Sequence, residues 1–442
     1  MPVSTLRTRR SILASAAATG SAALAACAVG NQATTPQKVA GKVSVLFFTS
    51  TEPAIDRMKK QEASLRAKYP EIELTTEAQP TALTAFLTTR FASGTAPNVH
   101  WMGADFWRFV GQGVFVELDS IIAKDKRFDL KAYYPAALTS YTWPDKMKAL
   151  AYGVNTHTMS YNKRLLQQEN IPVPTASWTV QQFTEYARRL TKDTDGDGNV
   201  DVTGFGNFPS PIIAPYLFGG GLWDRGFTKS NVDTPESIAG WEWLYDITYG
   251  PRKTYPPASM LTGTNLNNLM GQGKVAYFST GRFSVPVLKN FTDLDWDMAV
   301  YPTGPTGKKS TFLSIEGYAM NQDTKDRDAA FKVMEHLCGR EAQEEFYIKE
   351  GSVIPAIKAV AESPAFSAAV PGKNHKAHLD SLEFGNQPYY HPIDPQTYSD
   401  IIAPLWTEVA EGKTQPRDAA RSMATRLNEA LRTWKAANPN PK

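Results

Sequence analysis

The densest run of oxygen ligands in this 442-residue chain is Asp193-Thr194-Asp195-Gly196-Asp197-Gly198-Asn199-Val200-Asp201. Oxygens at the first, third, fifth and ninth positions, with glycine at the sixth, reproduce most of a calcium loop. Asp193, Asp195, Asp197 and Asp201 are therefore candidate ligands of a structural calcium. The twelfth position, where a bidentate Glu normally closes the sphere, is Gly204, and an Asx- and Gly-rich turn accounts for the same residues. No G-x-S-x-G, H-E-x-x-H or Walker loop occurs, and the six histidines show no ligand spacing. A glycosidase needs only two carboxylates, which 44 acidic residues leave open.

Aromatic residues supply the other candidate chemistry. The chain has 10 Trp, 18 Tyr and 21 Phe, many in polar or Gly-rich stretches. Examples are Phe106-Trp107 beside Asp105, Trp143-Pro144-Asp145, Trp223 after three glycines, Arg282-Phe283 after Gly281, Tyr318 after Glu316-Gly317, and Tyr389-Tyr390. A pyranose stacks its C–H face on an aromatic ring while its hydroxyls seek carboxylates and planar donors. Glu52, Asp105 and Arg282 are placed to supply those bonds. Taken singly, each aromatic is more simply a packing residue; their joint placement points to a sugar.

The N-terminus has the order of an export signal. Arg7, Arg9 and Arg10 precede a charge-free run from Ser11 to Gly30 that contains Leu24-Ala25-Ala26-Cys27. Arg9-Arg10 resembles a twin-arginine signal and the later tetrapeptide a lipobox, so cleavage before Cys27 and acylation of that cysteine are expected. The run is too rich in Ala, Ser and Thr to be a spanning helix. Removing three arginines and no acid from 47 basic and 44 acidic residues leaves the mature chain balanced, which excludes a field built to attract nucleic acid. Cys338 then has no intrachain partner and reads as a buried thiol.

Strands and helices alternate in the pattern. Val43–Phe48 is a nearly continuous apolar run, as in a strand buried on both faces. A helix starting near Ser50 or Thr51 is predicted to turn Ile55, Met58, Leu65 and Tyr69 inward and to stop before Pro70. Further strands are predicted at 72–76, 98–102, 274–278, 297–301 and 314–320. Helices are predicted at 82–92, 180–190, 235–248, 327–349 and over most of 398–434. Residues 28–41 have little to bury and read as a tether.

Several segments together resemble the extracellular solute-binding proteins of sugar ABC transporters, the family that includes maltose-binding proteins. They are Ala96-Pro97-Asn98-Val99 through Asp105 to Gly113–Leu118, Tyr152–Asn155 with Tyr161-Asn162-Lys163, and Trp178-Thr179. The likeness continues at Gly219–Trp223, Gly271–Tyr277, Gly281-Arg282-Phe283, Tyr301-Pro302 and Glu316–Ala319. The resemblance implies an α/β, two-lobed periplasmic-binding-protein fold (type II), with the ligand cleft between lobes joined by a multi-strand hinge. The expected division is a signal peptide at 1–26, a lipidated tether at 27–42, a first lobe at 43–154 and 300–352, and a second at 155–299 and 353–442. The chain is expected to cross near Asn155, Trp296–Tyr301 and Gly351–Pro355. Carried over by position, Asp105 matches an acid that bonds sugar hydroxyls, Ser50-Thr51-Glu52 a cleft-edge turn and Phe283 a stacking aromatic. Trp223 and Tyr318 match cleft-lining positions. Phe106 stands where maltose binders have an arginine, and Met102 where they have a stacking tryptophan. The expected ligand-binding set is Glu52, Asp105, Phe106, Trp107, Trp223, Arg282, Phe283, Glu316 and Tyr318.

The expected function is capture of a sugar or oligosaccharide by a monomeric, non-catalytic lipoprotein that delivers it to permease subunits, with no cofactor required and calcium only a candidate structural ion. The alternatives are a binder of glycerol phosphate or a polyamine, and a secreted glycoside hydrolase.

Overall fold

The computed structural model describes residues 39–49, 52–125, 129–207, 211–386 and 391–439. Val39 onward forms one compact unit; Cys27 and the export signal lie outside the described residues, as do Ser50, Thr51, Tyr389 and Tyr390.

Eleven strands build two sheets among the described residues. They are β1 (Gly41–Phe47), β2 (Ile72–Ala78), β3 (Val99–Met102), β4 (Ala149–Thr156), β5 (Thr158–Asn162), β6 (Thr203–Gly206), β7 (Val275–Thr280), β8 (Trp296–Ala299), β9 (Thr311–Met320), β10 (Ile354–Pro355) and β11 (Gly385–Asn386). The first sheet runs β10-β4-β9-β3-β1-β2, with β11 added to β9; the second runs β6-β7-β5-β8. In the first sheet β1 is parallel to β2 and β3, whereas β9 is antiparallel to β3 and β4. Both faces of this sheet are covered. Val43, Val45 and Phe47 meet the helix Arg327–Cys338 on one side, and Leu46, Met102, Leu313 and Ile315 meet Phe106 and Phe109 on the other. Double burial is why these strands read as near-continuous apolar runs.

The helix Glu52–Lys68 forms where the pattern places it, with Leu65 buried and Met58 and Tyr69 packed against the core as expected, but Ile55 turns outward. Ala54, Arg57, Gln61 and Leu65 are buried, while Ile55 is 39% exposed. The buried polar pair is explained by its partners. Arg57 forms an ion pair with Glu350, and the Gln61 amide donates to the Tyr347 hydroxyl at 2.9 Å. The predicted helix 327–349 ends at Cys338, and a further helical segment follows Gly339.

Ala149–Thr156 belongs to the first sheet and Thr158–Asn162 to the second, so the chain crosses at His157. The His157 N–H donates to the Phe312 carbonyl at 2.9 Å, and the His157 carbonyl accepts from Thr311 Oγ1 at 2.6 Å. The second crossing falls between β8 and β9, but later than expected: Val300 and Tyr301 pack in the second sheet's cores, and Thr303 donates to the Trp178 carbonyl. The boundary expected at 353 is too early for the same kind of reason. Ile354 and Pro355 pair with Val154 and Gly153, and Ala356, Ile357 and Val360 pack in a core of the first sheet.

At Gly317 in β9, an added Cβ would lie 2.1 Å from the Leu150 carbonyl oxygen and 2.6 Å from the Tyr141 ring. Gly317→Ala is expected to lower unfolding free energy by about 1–3 kcal/mol in urea titrations; unchanged stability would show that the β4–β9 contact is looser than described.

Candidate ligand-binding site

The carboxyl ends of parallel strands are where open α/β sheets hold ligands. At that edge of the first sheet lie Phe48 after β1, Gln79 after β2 and Trp101 near the end of β3. Register brings in β9 and β4, because Met102 faces Gly317 and Gly153 faces Glu316. The result is a connected group. The Phe48 and Trp101 rings, both half-buried, lie 4.7 Å apart at 40°. Trp101 Nε1 donates to the Tyr152 hydroxyl at 3.0 Å, which donates to Glu316 Oε2 at 2.7 Å. Asn155 Nδ2 donates to Glu316 Oε1 at 2.8 Å. Gly103 keeps space beside the indole, since a Cβ there would lie 2.8 Å from the Trp101 ring.

Burial pushes the Glu316 carboxyl above its usual range, opposed by the Tyr152 hydrogen bond, the Arg57 charge and the Asn155 hydrogen bond, and reinforced by Glu350. Burial also raises the Tyr152 phenol well above its ordinary value, so it remains a donor at every working pH. The Tyr152 ring stacks on Tyr347 at 4.0 Å and 8°, and the Arg57 guanidinium lies 5.1 Å from the Tyr347 centroid. Beside this pair, a groove of 680 Å³ is lined by Glu52, Asp56, Arg57, Lys60, Phe346 and Lys349, among others. Three buried polar atoms near the strand ends and the crossover have no partner among the described residues: Gln79 Oε1, Asn155 Oδ1 and His157 Nδ1. Buried polar groups normally find partners; all three atoms are enclosed, so a water or ligand hydroxyl reaches them only after local opening.

Of the expected ligand residues, Glu52 is exposed at the start of its helix and lines the groove. Glu316 sits in the network. Asp105 accepts from Thr84 Oγ1 at 2.6 Å and keeps about a quarter of its side chain exposed, 26%. Phe283 is 50% exposed, its ring 5.7 Å from the crossover residue His157.

The other five are packing residues. Phe106 is 0% exposed and stacks on Phe115 at 5.6 Å, because it opens a short helix whose apolar side faces the sheet. Trp107 belongs to the same core and meets Trp143 edge-on. Trp223 is buried with its Nε1 donating to Asp394 Oδ1 at 2.6 Å. Tyr318 lies on the same face of β9 as Glu316, as alternation in a strand requires, but it is enclosed in the core between Phe47 and Tyr152. Arg282 is enclosed completely, its guanidinium 3.8 Å from the Phe366 ring centroid. Sequence reading passed over Phe48, Trp101, Tyr152 and Asn155 as site residues; the available signal for Phe48, Trp101 and Asn155 was their place at or near strand ends, with Gly103 and Gly153 nearby, whereas Tyr152 lies in the middle of β4.

In the acidic loop, carboxylate oxygens of Asp193, Asp195 and Asp197 lie within 4.8 Å of one another, all exposed. Asp193 also accepts the Gly196 and Gly198 N–H groups. Asp201 is engaged by the N–H and hydroxyl of Thr194, at 2.7 and 2.6 Å. The twelfth position is glycine for a packing reason: a Cβ on Gly204 would lie 1.8 Å from the Ala187 carbonyl oxygen. The three converging carboxylates fit a calcium ion, but closure by a twelfth side chain is sterically barred.

Residues 59–372 match the family model for bacterial extracellular solute-binding proteins. The chain belongs to that family. It is similar to an ABC substrate-binding protein from Listeria monocytogenes solved with cycloalternan, at 20% identity and TM-score 0.79 over 88% of this chain and 98% of that one. A maltose/maltodextrin-binding domain from Bdellovibrio bacteriovorus bound to maltotriose matches at 20% identity and TM-score 0.73, covering 89% and 100%. The galactooligosaccharide-binding protein of Bacillus subtilis is 22% identical over 336 residues, 74% of this chain and 75% of the relative. The solute-binding protein thus has the two-lobed α/β fold of these relatives, and among its described residues no helix is long and apolar enough to cross a membrane.

The contrast between packed and presented aromatics is measurable in this solute-binding protein. Phe106→Ala is expected to cost about 3–5 kcal/mol of stability. Phe283→Ala should cost about 0.5 kcal/mol or less, as surface changes do. Equal losses in chemical denaturation would contradict the placement of Phe283.

Proposed function

We propose that the protein captures a sugar or oligosaccharide between its lobes and delivers it to the permease of an ABC importer, without catalysing a reaction. The observation that carries this reading is the Phe48–Trp101–Tyr152–Glu316–Asn155 group. It combines two aromatic faces with a carboxylate already oriented by neutral donors, which matches a pyranose's apolar face and its hydroxyls. Asn155 Oδ1 and Gln79 Oε1 lack donors among the described residues, and a ligand hydroxyl admitted to them would supply one. The relatives whose names specify oligosaccharides agree with this class. For a phosphorylated solute, Arg282, the cation expected to serve, is fully enclosed, whereas the exposed Lys60 and Lys349 line the neighbouring groove, so glycerol 3-phosphate is one arm of the test. Export through the Arg9-Arg10 signal and acylation of Cys27 complete the proposal, because a tether keeps a receptor at high effective concentration beside its permease.

Calorimetric titration with malto- and galacto-oligosaccharides, glycerol 3-phosphate and spermidine tests the reading. Saturable heat is expected with an oligosaccharide, weakened about tenfold in Trp101→Ala. Binding confined to glycerol 3-phosphate or spermidine, or release of reducing ends, would sink it.

A structural calcium held by Asp193, Asp195 and Asp197 is part of the proposal. Calcium is expected to raise the melting temperature of the wild type, as any ligand of the native state does, and to leave Asp195→Ala unmoved. Identical melting with calcium and with a chelator would reduce the loop to a turn.

A further inference from the structure

Arg282 and Phe283 are consecutive residues of one short turn after β7, yet one is wholly buried and the other is 50% exposed. The buried side chain is an anchor of an unusual kind. No carboxylate among the described residues pairs with it. Instead Arg282 Nη1 contacts His375 Nδ1 at 2.8 Å, and Nη2 donates to the Phe366 carbonyl at 3.2 Å. Guanidinium nitrogens only donate, so Nδ1 of His375 must accept and carry no proton. His375 Nε2 then holds the ring's proton and donates it to the Val370 carbonyl at 2.6 Å. The arrangement exists only with a neutral imidazole. On the other side of the turn, the Phe283 ring folds back over Gly281, where a Cβ would lie 2.5 Å from it. The anchored arginine therefore sets where the exposed ring points.

We propose that neutral His375 is a positioning residue: through Arg282 it fixes the turn that presents Phe283 to the ligand, and its protonation releases that ring. The proposal rests on the reading of Phe283 as a ligand-facing aromatic. Protonated Nδ1 would oppose a donor to a donor and place two cations in contact.

The surrounding charges do not cancel this. Arg282 faces His375 from its own turn. From the neighbouring segment come Lys373, which bonds the Trp296 carbonyl at 2.6 Å, and Lys376, which pairs with Asp380. Asp297 in β8 is the nearby acid, and it accepts the Asn374 N–H at 2.7 Å and lies 3.7 Å from Lys163. His378 is held between the Thr156 carbonyl and Thr158 Oγ1, and His157 faces Phe283 directly. Burial lowers the His375 pKa from its usual 6.5, Arg282 adds to the effect, and the Val370 hydrogen bond and Asp297 oppose it. A histidine depressed in the folded state contributes fully above its unfolded value of about 6.5 and loses that contribution as pH falls below it. Release of Phe283 within the folded protein follows the lowered titration of His375 itself and so lies below about pH 6.5.

The test uses the intact protein with 4-fluorophenylalanine at position 283, observed by fluorine NMR without ligand, and oligosaccharide titrations across the same pH range. The wild-type resonance is expected to shift or broaden as His375 titrates, below about pH 6.5, with affinity falling by up to about tenfold. His375→Gln, whose amide accepts from Arg282 and donates to Val370, should keep the neutral-pH spectrum and affinity and lose the acid response. His375→Ala should show the acid-type spectrum at every pH. A pH-independent wild-type resonance overturns the proposal whether or not any sugar binds. A response that persists in His375→Gln overturns it too, and assigns the effect to another group, such as His157 or His378. Normal fluorine behaviour with no oligosaccharide binding at neutral pH would instead defeat the functional reading alone.

Discussion

One continuous segment, Ala149–Asn162, is hydrogen-bonded into both sheets, and the arrangement of the molecule follows from it. Nearly every residue of the segment is buried, so its backbone groups must be satisfied within the protein. β9 and β10 satisfy them on one side of His157, β7 and β8 on the other. The crossing itself is closed by Phe312 and Thr311. Because β9 serves β4 and then runs beside β3, the same constraint carries Glu316 to the edge where β1 and β3 end. Gly153, whose Cβ would lie 2.8 Å from Val353, lets β10 close on the strand from outside.

The site's electrostatics follow from that placement. Glu316 is held by a phenol and an amide rather than by a cation, while the buried cation nearby, Arg57, is paired with Glu350. Burial works against the Arg57 charge, and Tyr152, Glu350 and Tyr347 outweigh it. Removing one partner of such a pair leaves an uncompensated charge, so the Arg57–Glu350 contact constrains the helix Glu52–Lys68 as well as the groove. Glu316, by contrast, retains acceptor capacity beyond its two hydrogen bonds, since a carboxylate offers about four lone-pair sites. Fixed donors on one side and spare acceptor sites on the other suit a carboxylate to ligand hydroxyls.

The opposite arrangement occurs at Arg282. Enclosed without a carboxylate, its guanidinium is lowered to about 9 by desolvation, and its contacts are an imidazole, a carbonyl and a ring face. The same turn exposes Phe283. Neighbouring residues of one motif thus divide between holding the turn and presenting a side chain, a division that residue type does not reveal.

The sequence by itself determined the family, the alternation of strands and helices, and the doubly buried strands, because these depend on local periodicity and on the order of short motifs. It also brought Glu52, Asp105, Phe283 and Glu316 forward as candidates. Only the tertiary structure decided which aromatics face outward. Phe106, Trp107, Trp223 and Tyr318 share their loop or strand-end context with Phe283, but packing partners many residues distant, such as Phe115 and Asp394, bury them. Phe48, Trp101 and Tyr152 look like ordinary strand residues in the chain and become a group through the register of four strands. The burial of Arg57 and Gln61 on the helix Glu52–Lys68 was likewise settled by Glu350 and Tyr347, nearly 300 residues away. Local pattern encodes which elements form; whether a given side chain meets solvent is fixed by contacts that the chain makes only after it has folded.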